Sequence, residues 1–286
     1  MIMNPVLSVT VLADNNTITD KYFLGEPGLS FLIEADNRKI LFDTGYSDVF
    51  IRNAEKIGAE LRDLDYLVLS HGHLDHTWGI IHLVRLLTEA KINHIPHRVP
   101  ELIAHPYCFY PRVKPPLRNI GSLLSEDEVR RQFSVRLSAQ PVWITKNLVF
   151  LGEIPRTFTF EQEDIRTRGI VMPDGRIEPD QLQDDSALVC RTAGGLVIIT
   201  GCSHSGICNI THYARSVCGE QRVIDIIGGL HLLSPDNARV RKTGEYVRGL
   251  HLKSLHACHC TSLSSKIALA NYCPIAEVGV GMKLEW

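Results

Sequence analysis

The chain has 286 residues, 30 Lys and Arg against 32 Asp and Glu, a formal net charge of -2 and 44% hydrophobic residues. This is an ordinary globular composition, long enough to bury a sizeable core without covalent staples and lacking the basic excess of a nucleic-acid-binding surface. No apolar run reaches the roughly 18–20 residues needed to cross a bilayer, which excludes a membrane span.

The stretch Met1 to Leu12 has no basic segment ahead of its apolar residues and reads as a first strand, not an export signal. The eight cysteines read as thiols, and the expected location is cytoplasmic. Strands are predicted at Val6–Leu12, Ser30–Glu34, Lys39–Phe42 closing on Asp43-Thr44-Gly45, and Tyr66–Ser70 closing on His71. Helical spacing of Val49, Phe50, Ala54 and Ile57 ends at Gly58, and a second helical pattern covers Trp78–Glu89. Residues 94–125 break this rhythm. Pro96, Pro100, Pro106, Pro111, Pro115 and Pro116 make regular structure unfavourable there, and the segment reads as an inserted loop or lid on a single domain spanning 1–286. Strand-like runs resume at Val142–Thr145, Leu148–Leu151, Ala187–Arg191, Leu196–Thr200, Val223–Ile227 and Ser254–Ala257.

Several of these apolar strands run directly into a histidine: His71, His204, His231, and the pair His256 and His259. In α/β sheets the carboxyl ends of the strands are where sites are built, so these imidazoles are placed to converge. The densest signal is Ser70-His71-Gly72-His73-Leu74-Asp75-His76. A lone histidine is usually a solvated or packed residue, but four donors within six residues at a strand end form a metal-ligating loop. In an extended turn His71, His73 and Asp75 point to one side and His76 to the other, so one loop can serve two adjacent ions. Imidazole and carboxylate suit zinc, with Fe or Mn as alternatives. One loop cannot close two coordination spheres, and His204 and His259 are the best-placed completing ligands. Cys202 has two readings, a thiolate ligand or a small buried residue. Asp43, at the end of its strand, is expected to accept a hydrogen bond that orients the histidine loop. His231, after paired glycines that permit close backbone approach, is a candidate proton donor to a leaving group, a ligand or a buried histidine.

His-x-His-x-Asp-His after a strand, preceded by Leu41-Phe42-Asp43-Thr44-Gly45, resembles the metallo-β-lactamase superfamily of metal hydrolases over nearly the whole chain. The resemblance implies an α/β fold, an αββα sandwich of two mixed β-sheets flanked by helices, with a dinuclear centre. It further implies that His71 and His73 hold one ion, completed by His204, and that Asp75 and His76 hold the second, completed by His259. The superfamily's bridging aspartate would follow the apolar strand as Gly-Asp, where this chain has Gly201-Cys202. The bridge is then missing, replaced by His204, or supplied by Asp184 or Asp185. Gly152-Glu153-Ile154-Pro155-Arg156, the turn around His204, Gly228-Gly229-Leu230-His231-Leu232 and His259-Cys260-Thr261 resemble a narrower group labelled 7,8-dihydropterin-6-yl-methyl-4-(β-D-ribofuranosyl)aminobenzene 5′-phosphate synthases.

The expected chemistry is hydrolysis by water activated between two ions, with Asp75 accepting the water proton and His231 protonating the leaving group. Arg98, Arg112, Lys114 and Arg118 oppose only Glu101 between residues 94 and 118. This basic excess predicts an anionic small-molecule substrate, a phosphoester or a pterin, with Arg112 and Lys114 as its contacts and Tyr107, Phe109 and Tyr110 as stacking surfaces. The bland alternative is a proline-rich loop with solvated charges. Two other functions compete with hydrolysis: a synthase that joins a dihydropterin diphosphate to an aminobenzene ribofuranosyl phosphate with release of pyrophosphate, and a non-enzymatic metal-dependent ligand sensor. Diiron relatives that reduce oxygen carry Glu where His73 stands, which argues against oxygen chemistry.

Overall fold

Short runs rich in Val, Ile, Leu and Phe become strands because their side chains pack on both faces of a pleated sheet. A computed structural model describes residues 6–162, 167–234 and 237–286; the first residues of the Met1 to Leu12 stretch, Met1 to Pro5, lie outside them. In chain order, β1 (Leu7–Ala13), β2 (Ser30–Ala35) and β3 (Arg38–Phe42) precede α1 (Val49–Ile57) and β4 (Tyr66–Val68). Next come α2 (Leu74–Thr77), α3 (Ile80–Ile92), β5 (Glu101–Ala104), β6 (Arg112–Val113), α4 (Glu126–Arg130) and β7 (Ser134–Leu137). They are followed by β8 (Val142–Trp143), β9 (Leu148–Phe150), a single 3-10 turn (Thr159–Glu161), β10 (Gly169–Val171), β11 (Ile177–Pro179), β12 (Ala187–Thr192) and β13 (Gly195–Thr200). The last elements are α5 (Ile207–Cys218), β14 (Val223–Gly229), α6 (Asn237–Arg248), β15 (Ser254–Cys258), α7 (Leu263–Leu269) and β16 (Lys283–Glu285). No helix among the described residues is long and apolar enough to cross a membrane.

The described residues divide into two compact units: 6–138, 167–184 and 279–286 in the first, 139–162, 185–234 and 237–278 in the second. The first unit holds a seven-stranded mixed sheet in the order β16-β1-β2-β3-β4-β5-β7, and a small sheet β11-β10-β6. Leu41, Phe50, Leu64, Leu67, Leu83 and Leu102 are among the residues of its core. The parallel register of β3 on β4 pairs Phe42 with Val68, so Asp43 and the Ser70–His71 turn leave the sheet at the same edge. That register decides where the histidine loop sits.

The expectation of irregular structure over 94–125 needs correction. Glu101–Ala104 is a parallel strand between β4 and β7, with Leu102, Ile103 and Ala104 buried. The prolines flank this strand without falling inside it, and four residues are too few to show against a proline-rich background. Phe109 belongs to the same core, so it is not an exposed stacking surface.

The second unit is a six-stranded mixed sheet, β15-β14-β13-β12-β9-β8, with its own core around Val189, Ile198, Ile210, Ile226 and Leu255. Here β13, β14 and β15 run parallel, pairing Thr200 with Gly228 and Gly229 with Cys258. The turns bearing His204, His231 and His259 therefore leave one edge of this sheet. Gly228, at φ +134, lets the strands close: a β-carbon there would stand 2.0 Å from the Thr200 carbonyl oxygen.

Helix α5 begins at Gly206 without a side-chain cap, and the Glu161 carboxylate takes its place by accepting from the N–H groups of Cys208 and Asn209 at 2.9 Å each. Burial pushes the Glu161 carboxyl above its ordinary 4.5, against the pull of those two amides. The folded chain thus binds this proton more tightly than the unfolded one, and the contribution to stability is lost as pH rises through the folded value. Glu161→Gln removes the titration. The wild-type advantage in unfolding free energy over this variant should shrink as pH rises from about 4.5 towards neutrality, measured by urea unfolding at stepped pH; an advantage that grew with pH would contradict this account.

Candidate metal centre

Asp43 is fully buried at φ +58, a conformation that aspartate tolerates better than most residues, and it is the hub of the donor loop. Its Oδ1 accepts from the Ser70 backbone N–H at 2.7 Å. Its Oδ2 lies 2.7 Å from the Ser70 hydroxyl and 2.7 Å from His76 Nδ1. A carboxylate only accepts, so His76 carries its proton on Nδ1 and its lone pair on Nε2. The same reasoning runs one step further through Ser70. Because the hydroxyl proton goes to Asp43, the Ser70 oxygen accepts from His71 Nδ1 at 2.9 Å, which puts the His71 lone pair on Nε2 as well. One carboxylate thereby sets the tautomers of two histidines.

His71 Nε2 lies 3.0 Å from His73 Nδ1, close to the spacing of about 3.3 Å expected for two nitrogens on one tetrahedral zinc. Asp75 Oδ2 stands 3.8 Å from His76 Nε2. His71 and His76 are buried, whereas His73 and Asp75 are partly accessible. The Nδ1 atoms of His71 and His76 are already hydrogen-bonded, and three imidazoles with one carboxylate are the donor chemistry a divalent ion of the zinc type requires, so these residues fit such an ion. Sequence reasoning assigned no role to Ser70; its position between a buried strand and the first histidine was the available signal.

The second unit has its own cluster of hydrogen-bonded turns. Ser203, at φ +59, donates from its hydroxyl to the Gly229 carbonyl at 2.7 Å, and Asp185 accepts from the N–H groups of His204 and Ser205 at 3.0 and 2.8 Å. Burial pushes the Asp185 carboxyl up to about 6 even though these two amides pull it down. The His204 and His231 ring centroids are 4.1 Å apart. The Cys260 sulfur accepts from the His231 N–H at 3.2 Å and lies 3.5 Å from the Cys202 carbonyl oxygen, tying the three turns together. His231 and His259 both sit at positive φ, +47 and +51, as sharp strand exits demand.

Neither Asp184 nor Asp185 is placed as a spare bridging carboxylate. Asp185 holds the His204 turn with both oxygens, while Asp184 accepts from the Gly72 N–H at 2.7 Å and faces Arg112 Nη2 at 2.7 Å.

The assignment of Arg112 to an anionic substrate is corrected. Its side chain is fully buried, with Nε donating to Asp180 at 2.9 Å and Nη2 paired with Asp184. Burial works against the guanidinium charge, but Asp184 and Asp180 outweigh it and hold Arg112 above the ordinary arginine value. Burial, joined by the charge of Asp184, likewise keeps the Cys108 thiol well above its usual range. A charge count over a short window could not reveal partners about 70 residues away in sequence. Arg98 pairs with Asp65, which leaves Lys114 as the exposed member of the two predicted substrate contacts. Tyr107 and Tyr110 stack loosely at 5.0 Å between ring centroids.

The chain is 30% identical over 271 residues to the 7,8-dihydropterin-6-methyl-4-(β-D-ribofuranosyl)-aminobenzene-5′-phosphate synthase of Methanocaldococcus jannaschii, covering 91% of this chain and 89% of that one. An uncharacterized protein of the same organism is 27% identical over 267 residues, covering 92% and 93%. Among solved structures, Tm1679, described as a metal-dependent hydrolase of the β-lactamase superfamily, superposes with a TM-score of 0.81 at 27% identity, covering 98% and 99%. The family model of the metallo-beta-lactamase superfamily matches residues 24–215, taking in the His71–His76 loop and the His204 turn, and with the mixed sheets and flanking helices it shows that the chain belongs to the metallo-β-lactamase superfamily.

Proposed function

We propose that the protein is a metal-dependent hydrolase acting on an anionic, phosphorylated small molecule at a dinuclear centre. The observation that carries this reading is the pre-set donor loop, in which Asp43 fixes both His71 and His76 with lone pairs on Nε2. His71, His73 and His204 would hold one ion, and Asp75, His76 and His259 the other. Cys202 is kept as a thiolate candidate for both sets. Zinc is the first choice for such donors, with iron or manganese as alternatives. Bound divalent ions supply Lewis acidity, which lowers the pKa of water and polarises the bond under attack. Asp75 accepts the proton of the attacking water at a carboxylate oxygen. His231 donates a proton to the departing oxygen as its bond to phosphorus breaks. Lys114 attracts the anion.

A second reading is favoured by the 30% identity to the methanogen synthase: condensation of a dihydropterin diphosphate with an aminobenzene ribofuranosyl phosphate, in which the amine nitrogen attacks the pterin methylene carbon, the C–O bond to pyrophosphate breaks and the amine gives up a proton. Elemental analysis of protein purified without added metal is expected to give two equivalents in the wild type and close to one in His204→Ala. No more than one equivalent in both proteins would remove His204 from the centre. Phosphate release from a phosphoester panel, abolished by chelation, supports the hydrolase. Coupled product with pyrophosphate and no phosphoester turnover selects the synthase.

A further inference from the structure

Gly72 sits between His71 and His73, and three chain segments converge on it. Its N–H donates to Asp184 Oδ2 at 2.7 Å in a fully buried contact. A β-carbon on Gly72 would stand 2.0 Å from the Cys108 carbonyl oxygen and 2.2 Å from Arg112 Nη1, so the loop backbone rests directly on the guanidinium and on the 107–110 turn. Arg112 in turn faces the carbonyl oxygens of Tyr107, Cys108 and Tyr110 at 3.2 to 3.5 Å, while Asp180 and Asp184 take its Nε and Nη2. Asp180 itself accepts from the Leu182 N–H at 2.9 Å, which fixes the segment that delivers Asp184.

We propose that Asp184, held by Arg112, is a positioning residue for the metal donors: its hydrogen bond to Gly72 N–H sets the pitch of the loop so that His71 Nε2 and His73 Nδ1 face the same point. The inference rests on the metal-centre reading above. The two histidines are anchored differently. His71 is tied through Ser70 to Asp43, whereas His73 lies beyond Gly72 at the start of α2, where its carbonyl accepts from the His76 and Thr77 N–H groups and the Thr77 hydroxyl, so its approach to His71 is set by the Gly72 peptide that Asp184 holds together with the first turn of α2. Glycine permits this close packing and is also the most flexible residue, which makes an external anchor necessary at this position. Asp43 thus orients imidazole rings, and Asp184 orients the backbone that carries them.

Two variants separate the Gly72 contact from the ion pair. Asp184→Ala removes the acceptor but leaves Arg112 and Asp180 as a neutral buried pair, so the chain is expected to fold. Asp184→Asn keeps an amide oxygen for the Gly72 N–H and loses the charge opposite Arg112. Metal-stripped full-length protein is titrated with zinc against a chromophoric chelator, and the visible spectrum of the cobalt(II) form is recorded. Asp184→Ala is expected to weaken zinc binding 10- to 100-fold, the usual range for an outer-shell partner, and to shift the cobalt bands, while Asp184→Asn stays close to the wild type. A folded Asp184→Ala with wild-type affinity and spectrum overturns the proposal. Equal weakening in both variants also overturns it, because the effect would then follow the charge and not the contact. If Asp184→Ala fails to fold, a tenfold loss in Asp184→Asn has the same force. A wild type that binds no zinc sinks the metal-centre reading itself, an outcome distinct from all of these.

Discussion

Asp43→Ala is expected to lower the unfolding free energy by about 3–6 kcal/mol and to weaken metal binding 10- to 100-fold. Three buried donors lose their acceptor at once: the Ser70 N–H, the Ser70 hydroxyl and His76 Nδ1. Each buried donor left without a partner costs roughly 1–2 kcal/mol, the lower part of the usual range, because water can enter the space left by the carboxylate. The backbone adds to this, since φ +58 at residue 43 suits Asp or Asn better than Ala. The loss of metal affinity has a separate cause. Without Asp43 the Ser70 hydroxyl no longer has to point away from His71, and both His71 and His76 become free to adopt the tautomer with the lone pair on Nδ1, which faces the interior. Asp43→Asn separates the two effects. It keeps the shape and the favourable φ but presents an amide N–H₂ to donors, so its stability loss should be smaller while its metal affinity stays low. Urea unfolding and zinc competition measure the two quantities, and an Asp43→Ala protein with wild-type metal affinity would show that the tautomers are set by something else.

Much of this site was legible in sequence because its chemistry is local. Four donors within six residues need no fold to be noticed, and the strand before them predicts where they emerge. The parallel strands ending at Thr200, Gly229 and Cys258 were also visible as apolar runs into histidine, although their pairing was not. What stayed hidden depends on contacts distant in sequence. Arg112 read as a contact to an anionic substrate in a basic segment, because Asp180 and Asp184 lie far down the chain and carry no local mark of their partner. Strand β5 was lost for the opposite reason: its four residues sit among prolines, and only the sheet neighbours β4 and β7 give them a role. Ser70 shows a third kind of loss. A serine at a strand end is unremarkable until the carboxylate on one side and the imidazole on the other force its hydroxyl to relay between them.

Arg112→Met is expected to lower stability by about 3–5 kcal/mol. Methionine fills a similar volume, so the loss is electrostatic. Asp180 and Asp184 would remain buried as two carboxylates facing each other's space without a cation, and the carbonyls of Tyr107, Cys108 and Tyr110 would lose their donors. Breaking a buried ion set by removing one charge costs more than replacing the whole set, because desolvated charge is left uncompensated. The variant carrying Arg112→Met together with Asp180→Asn and Asp184→Asn should therefore recover most of the lost stability, even though it is further from the wild type. Metal binding should recover with it, since an asparagine at 184 can still accept from the Gly72 N–H. Thermal and urea unfolding of the single and triple variants decide the matter. A triple variant less stable than Arg112→Met alone would mean that the aspartates act through their own backbone contacts, such as Asp180 with the Leu182 N–H, and not through the charge of Arg112.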